Sequence, residues 1–168
     1  MSTRGSELEK KAEKVNLKLR IDQEAVILKV PTPMQITNQG LIPMQSTVDY
    51  VGIIDGGKFI AYDAKQTNVK TRFDLSNIHS HQLEYLDYVR RLGGITFFLM
   101  WMKKANPNNV YIVPTGLVNY YWHKADRQSL PIDVLNKESK IIKLDNYLEF
   151  LNDKEFYDRL FEEFIEPG

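Results

Sequence analysis

Residues 47–67 read TVDYVGIIDGGKFIAYDAKQT. Two apolar runs rich in β-branched and aromatic residues, 47–54 and 58–66, flank the triplet Asp55-Gly56-Gly57. A glycine-rich triplet between two such runs is a strong signal for a hairpin turn. The stretch therefore predicts an antiparallel pair of strands.

Three charged side chains of this hairpin are candidates for a catalytic site. Residues two apart on a strand share a face, so Asp63 and Lys65 point the same way. Asp49 lies near the start of the partner strand, so its carboxylate can approach that of Asp63 at the open end of the sheet. Taken alone, this spacing also fits a solvated Asp–Lys pair at a strand end.

A pair of carboxylates with no His or Cys cluster nearby suits Mg²⁺, a hard cation that keeps several waters and takes substrate phosphate as a ligand. The pattern has the ingredients for metal-assisted hydrolysis of a phosphodiester. In that reaction the metal polarises the phosphate and acidifies a water. Lys65 orients the water or stabilises charge that develops on the phosphate oxygens.

A second helix is predicted at residues 79–92, and it carries Gln82 on its inward face. Gln82 stacks with Leu86 and Val89 at helical spacing, on the stripe that must pack against the sheet. A polar residue on such a stripe needs a partner. Two interpretations stay open: a core glutamine bound to a backbone group, or an amide that points into the cleft of Asp63 and Lys65.

The first helix is predicted to begin at a capping box, in which Ser6 and Glu9 satisfy the free backbone amides of the first turn. The capping role accounts for the Glu9 carboxylate without any catalytic function. His79 and His81 are two apart, which sets them on different sides of a helix, so we do not predict a joint metal site for them.

The remaining pattern predicts an α/β protein with the order α, β, β, β, α, β. A strand is expected at 24–30, and it is stopped by Pro31 and Pro33 before an uncharged, stalk-like loop at about 31–46. A buried central strand is expected at 95–102. Further predictions are short edge strands or turns at 110–113 and 118–122, and a closing helical segment at 147–164.

The composition is that of one globular domain, 1–168, with 43% hydrophobic residues and no cysteine. The lack of cysteine excludes disulfides and thiolate zinc sites. No apolar run is as long as a bilayer span, and the charged start is unlike a signal peptide, so we expect a cytoplasmic protein with no membrane contact.

The formal net charge is zero, but the charges are unevenly distributed along the sequence. From residue 145 onward there are eight acidic and two basic residues, so the rest of the chain is mildly basic, which permits DNA binding.

Several blocks of the sequence, taken in order, carry a further signal. They are Arg4-Gly5, Leu8-Glu9, Asn16, KVPTPMQI at 29–36, TVDYVG at 47–52, DAKQT at 63–67, FDL at 73–75 and NIHSHQ at 77–82, with YYW at 120–122 as a looser match. Together these blocks resemble the RecU family of Holliday junction resolvases from Gram-positive bacteria, their phages and mycoplasmas. The resemblance covers the first two thirds of the chain well and the rest loosely.

The resemblance implies a restriction-endonuclease-like core, with a mixed central sheet flanked by helices. It implies a Mg²⁺-dependent endonuclease, with Mn²⁺ as a substitute, that acts as a homodimer on a four-way DNA junction and has recombinases or branch-migration proteins as possible partners. The residues that correspond to the metal ligands of the family are Asp49, Asp63 and the Ala64 carbonyl. Those that correspond to the other catalytic groups are Lys65, Gln82 and Glu9, and Thr47 corresponds to a support for Asp49.

Three departures from the family pattern stand out. Asp63 replaces Glu, the turn at Asp55-Gly56-Gly57 is one residue longer, and residues 37–46 form a short stalk without Lys or Arg. The last departure bears on selectivity for junctions. We therefore keep three alternatives: a nuclease of the same fold with relaxed preference for flaps, single strands or duplex, a non-catalytic DNA-binding modulator of recombination, and a purely structural interaction protein.

Overall fold

Ten strands and five helices make up the protein in a computed structural model, which describes residues 6–44 and 47–166. Arg4 and Gly5 lie outside the described residues. The helices are α1 (Glu7–Ile21), α2 (Ser80–Arg91), α3 (Thr115–His123), α4 (Ile132–Glu138) and α5 (Lys154–Arg159). The strands are β1 (Ala25–Lys29), β2 (Met34–Thr37), β3 (Gly40–Pro43), β4 (Tyr50–Ile54), β5 (Lys58–Thr67), β6 (Arg72–Asp74), β7 (Ile95–Met102), β8 (Val110–Pro114), β9 (Ser129–Pro131) and β10 (Lys140–Ile142).

The main sheet has six strands in the order β1-β4-β5-β7-β8-β10. β5 and β7 are parallel, and the other neighbours are antiparallel. Helix α1 packs against one face of this mixed sheet, and helices α2 and α3 pack against the other. The predicted fold class, a mixed central sheet flanked by helices, is confirmed.

Two apolar cores, one on each side of the sheet, enclose its central strands. On one side Tyr62 of β5 packs with Leu8 and Ala12 of α1. On the other side Ala61 of β5 packs with Leu86 of α2. All eight residues of β7 are buried, as expected for a continuous apolar run in a strand that is covered on both faces.

The predicted hairpin is present, with β4 and β5 paired so that Tyr50 lies opposite Tyr62. Its turn uses Gly56 and Gly57 at φ values of 82° and 72°, a conformation that glycine adopts without steric cost. The first strand of the pair begins at Tyr50, three residues later than predicted. Asp49 therefore lies just before the strand, at its open end.

The stretch predicted as a stalk-like loop, 31–46, contains a second hairpin instead of a loop. β2 and β3 pair only with each other, and a turn at Gly40 with φ of 103° joins them. Both strands are short and largely exposed, so no buried face imposes the alternation that marks a strand in a sequence.

One other local prediction was wrong, and one was confirmed only in part. Residues 118–122, predicted as an edge strand or turn, lie in α3, because Leu117, Val118 and Tyr121 share one helical face that packs into the second core. The closing helical segment is a 3₁₀ stretch, Leu144–Asn152, followed by the short α5. Asp153 lies between them with an extended backbone, which interrupts the helix, and its side chain caps α5.

No helix among the described residues has the length and apolar character needed to cross a bilayer.

Candidate active site

Asp49 and Asp63 meet at the open end of the β4–β5 hairpin and exchange hydrogen bonds with the backbone of the opposite strand. The Asp49 N–H donates to Oδ1 of Asp63 at 2.9 Å, and the Ala64 N–H donates to Oδ2 of Asp49 at 2.9 Å. Each carboxylate therefore has one oxygen fixed by the backbone. The predicted approach of the two carboxylates is confirmed.

The second oxygen of Asp63 faces Lys65. Oδ2 of Asp63 lies 2.9 Å from Nζ of Lys65, although the angle does not make a hydrogen bond, and this oxygen is buried without any other partner. The Asp63 side chain is fully buried, and that of Lys65 is 16% exposed. At this distance the opposite charges of Asp63 and Lys65 attract each other, because attraction between charges depends little on angle.

Lys29, at the end of β1, contacts the second oxygen of Asp49. Its Nζ lies 3.6 Å from Oδ1 of Asp49, and it also donates to Oε1 of Glu9. Burial opposes ionisation of Glu9, but the hydrogen bond and charge of Lys29 outweigh it, so the pKa of Glu9 lies below its usual range. Glu9 therefore reaches the edge of the site through Lys29.

Glu9 also completes the predicted capping box of α1, with Ser6 N–H donating to Oε2 of Glu9 at 3.3 Å. Two contacts hold this end of the helix against the sheet. The Leu8 N–H donates to Oε1 of Gln66 on β5 at 2.9 Å, and the Tyr50 hydroxyl donates to the Glu9 carbonyl at 3.1 Å. The capping and site-edge positions of Glu9 are thus compatible.

A buried ring of three hydrogen bonds lies under the strand that carries Asp63. The Asn16 amide donates to the Tyr62 hydroxyl at 3.0 Å, the two hydroxyls of Tyr62 and Tyr147 are 2.8 Å apart, and the Tyr147 hydroxyl donates to Oδ1 of Asn16 at 2.6 Å. Because these groups come from α1, β5 and the 3₁₀ stretch, they fix all three elements relative to one another.

The pKa of Asp49 is shifted far from its ordinary value. Burial, followed by the negative charge of Asp63, raises the pKa of Asp49 to about 7, against the opposing effects of the Ala64 N–H and Lys29. Two acids this close cannot both ionise without cost unless a cation neutralises them. The site therefore favours either a proton or a metal ion.

The contacts of Gln82 agree with the first interpretation, a core glutamine that binds a backbone group. It is buried, and its Oε1 accepts a hydrogen bond from the His79 N–H at 3.0 Å, at the start of α2. A role of its side chain in the cleft stays a prediction. His79 caps α2, and its ring stacks on that of His81 with centroids 5.6 Å apart.

The donors at this site fit a hard divalent cation. Among the described residues no group of three or more His, Asp or Glu side chains could hold a metal. The two convergent carboxylates nevertheless suit such a cation when water and phosphate supply its other ligands. Oδ2 of Asp63, which is buried without a hydrogen-bond partner, is the expected position of a metal ligand.

Lys29 and Gln66 are the residues of this region whose roles the residue pattern did not reveal. Lys29 ends an apolar strand, and Gln66 follows the Asp-Ala-Lys triplet, but neither spacing points to a partner 20 or 58 residues away. A signal was present only in the resemblance, because both residues fall within its matching blocks.

Comparisons with known proteins show which family this chain is similar to. Residues 3–153 match the family model described as RecU, Recombination protein U. The chain is 32% identical to the Holliday junction resolvase RecU of Oenococcus oeni, over 88% of this chain and 84% of that protein. It is also 32% identical to the Holliday junction resolvase RecU of Bacillus subtilis, over 85% of this chain and 74% of that protein.

A solved structure supports the fold. The Holliday junction resolvase Hjc of Archaeoglobus fulgidus superposes with a TM-score of 0.50 at 11% identity, over 85% of this chain and 98% of that one. At this identity the likeness concerns the fold alone. From the family match and the extent of the curated relatives, we conclude that the chain belongs to the RecU family.

Proposed function

We propose that the protein is a Mg²⁺-dependent endonuclease that resolves four-way DNA junctions in recombination, repair or phage DNA processing. The observation that carries the proposal is the pair of hydrogen bonds that Asp49 and Asp63 each accept from a backbone N–H of the opposite strand. Lys65 lies at the second oxygen of Asp63. Holliday junction resolvases are endonucleases, and the curated relatives carry that name.

Asp49, Asp63 and the Ala64 carbonyl would hold the metal, and nucleases of this fold generally need a divalent ion. When bound, Mg²⁺ supplies Lewis-acid polarisation of the scissile phosphate and neutralises its charge, and Mn²⁺ can replace it. The protein itself supplies two carboxylates that each accept a hydrogen bond from a backbone N–H of the opposite strand.

Lys65 is the group that positions the attacking water and stabilises charge on the phosphate oxygens. Its low exposure and its contact with Asp63 keep the ammonium at the carboxylate, where the substrate must arrive. Glu9 acts at the edge of the site through Lys29. Gln82 has an accessory role, because it fixes the start of α2 beside the same face of the sheet.

Resolution of a junction needs two symmetric cuts, which suits a homodimer. One surface supports self-association: Val26, Ile53 and Phe59 lie opposite one another on β1, β4 and β5, and they are 42%, 50% and 41% exposed. An exposed apolar row across the face of a sheet commonly marks an interface. The activity belongs in the cytoplasm, where recombinases and branch-migration proteins are candidate partners.

The test is cleavage of a mobile four-way junction by wild type, Asp63→Ala and Lys65→Ala, with Mg²⁺ and with Mn²⁺. We expect paired nicks of like polarity from the wild type and none from either variant. A folded dimer that binds the junction and leaves it intact would instead support a non-catalytic binding protein. The lack of any metal-dependent thermal shift would support a purely structural role.

A second candidate function is a nuclease with relaxed preference for branched, flap or duplex DNA. It is favoured by the β2–β3 hairpin, whose side chains are uncharged and whose Ile36 and Leu41 are 84% and 64% exposed. Digestion of junction, flap, single-stranded and duplex substrates side by side separates the two functions. Equal rates on all four substrates would favour the second.

A further inference from the structure

A groove of about 360 Å³ lies beside α1, on the side of the sheet opposite Lys65. Its floor is Trp101 on β7, its walls include Lys11 and Lys14 of α1, and Lys143 closes it from the segment after β10. The loop that follows β7 contributes Asn108 and Asn109. We call this region the lysine groove.

The aromatic floor positions two ammonium groups. Nζ of Lys11 and Nζ of Lys103 lie 5.7 Å and 5.5 Å from the centroid of the Trp101 ring, close enough for cation–π attraction. Trp101 also donates from Nε1 to the Pro107 carbonyl at 3.1 Å, which ties the loop to the sheet. These contacts hold the loop and the two ammonium groups at the Trp101 ring.

The charge of the lysine groove is only partly neutralised within the protein. Lys14 and Lys143 are exposed, and neither forms an ion pair with any of the described residues. Lys11 has only a long contact of 4.0 Å with Glu7. Asp145 is the one acidic residue in the lining. Two lysines without partners beside a fixed aromatic floor form a surface that fits an extended anion.

The lysine groove lies at the same end of the sheet as the active site. β5 and β7 are parallel, Gln66 pairs with Trp101, and the neighbouring Lys65 points to the opposite face. The first turn of α1 lies between the two regions: Glu9 contacts Lys29 beside Asp49, whereas Glu7 forms an ion pair of 2.7 Å with Lys103 beside the groove.

The first turn of α1 therefore lies between the groove and Asp49, while Lys65 lies across the sheet from the groove. A DNA strand carries a phosphate about every 3.4 Å, one per nucleotide, so a strand that passes this turn presents phosphates to the exposed lysines. We propose that the lysine groove binds the phosphate backbone of the DNA arm that leaves the active site. This inference rests on the proposed function, because it gives that substrate a second point of contact.

The experiment compares wild type with the double variant Lys14→Gln/Lys143→Gln in binding to a fluorescent four-way junction without divalent metal, over about 50–200 mM salt. The slope of log affinity against log salt is negative, and each lost phosphate contact makes it less steep by about 0.9. We therefore expect a slope that is less steep by about one to two in the double variant. We expect affinity at the middle of this range to fall roughly tenfold. Cleavage at saturating DNA should be unchanged, since neither residue touches the carboxylates.

The matched control is Lys124→Gln/Lys137→Gln, which removes the same charge from exposed lysines without ion pairs near α3 and α4. We expect it to bind with nearly the wild-type slope, and both double variants to keep the wild-type melting temperature. An unchanged slope in the groove variant, or an equal loss in the control, would overturn the inference while leaving junction cleavage intact.

Two further outcomes are distinguishable. If wild type neither binds nor cuts DNA, the proposed function itself fails, and the inference fails with it. If the groove variant binds DNA normally but loses affinity for a poly-glutamate peptide, the groove recognises an acidic protein segment, and its assignment to DNA is wrong.

Discussion

Asp49 and Asp63 are joined by a backbone hydrogen bond, with the N–H of Asp49 donating to Oδ1 of Asp63 at 2.9 Å. The return contact runs from the Ala64 N–H to Oδ2 of Asp49. The two remaining oxygens face Lys65 and Lys29. The two lysines thus place positive charge at the oxygens that a metal would bind. Their charge offsets part of the repulsion between the two acids when no metal is bound.

Asp63→Asn should abolish metal binding without unfolding the protein. It removes the repulsion between two adjacent acids but also the charge that pairs with Lys65, so the melting temperature without metal should change little. The thermal shift produced by Mg²⁺ should disappear, and junction cleavage should fall by at least about 10²-fold. Thermal scans with and without Mg²⁺ check this, and Asp133→Asn on α4 is the control. A shift retained by Asp63→Asn would contradict the assigned ligand.

The raised pKa of Asp49 predicts two effects of pH. Its value of about 7 in the folded protein exceeds the ordinary value of 3.8, so the folded state holds a proton that the unfolded chain has released. Without metal, the free energy of unfolding should therefore fall as pH rises from about 4 to about 7. Urea denaturation across this range measures the fall, and Asp49→Asn should remove most of it.

The same proton competes with the metal. Since a ligand carboxylate must be ionised, Mg²⁺ affinity should rise by roughly tenfold per pH unit below about 7 and level off above it. Calorimetric titration with Mg²⁺ at several pH values gives this curve. A flat curve would show that Asp49 is already ionised in the folded protein at low pH.

Gln82→Ala should lower stability more than it lowers catalysis. The substitution leaves the His79 N–H at the start of α2 without its acceptor, and loss of a cap costs about 1 kcal/mol. Gln82→Glu keeps an acceptor and should retain most of that stability. Urea denaturation and cleavage rates should be measured together. Normal stability with abolished cleavage in Gln82→Ala would mean that the amide acts on the substrate.

Tyr147→Phe tests the hydrogen-bond ring beneath β5. Removal of the hydroxyl leaves Oδ1 of Asn16 and the Tyr62 hydroxyl short of a partner in a buried site, at a cost of about 1–3 kcal/mol. The matched control is Tyr157→Phe, on α5, whose hydroxyl takes part in no hydrogen bond with the described residues. An equal effect of the two substitutions would show that the ring contributes little.

The active-site pair could be predicted from the sequence because both acids belong to one hairpin. Alternation along β5 places Asp63 and Lys65 on the same face, and the Asp-Gly-Gly turn fixes which residue of β4 lies opposite. These are local rules, and the residues involved are at most sixteen positions apart. The central strand β7 was also predicted correctly, because a continuous apolar run is stable only in a strand that is covered on both faces.

The elements that escaped prediction depend on packing between distant segments. The aromatic run at 118–122 favours a strand locally, yet its contacts with α2 and the second core select a helix. The β2–β3 hairpin pairs only with itself in an exposed position, so no buried face marks it in the sequence.

The sequence by itself determined the chemical content of the site: which acids lie on one hairpin, and which lysine shares their face. Only the tertiary structure decided that Lys29 joins Glu9 to Asp49, and that Lys11 and Lys103 both lie over the ring of Trp101. The physical reason is that strand periodicity acts over neighbouring residues, whereas these contacts form only when separate elements are packed against one another.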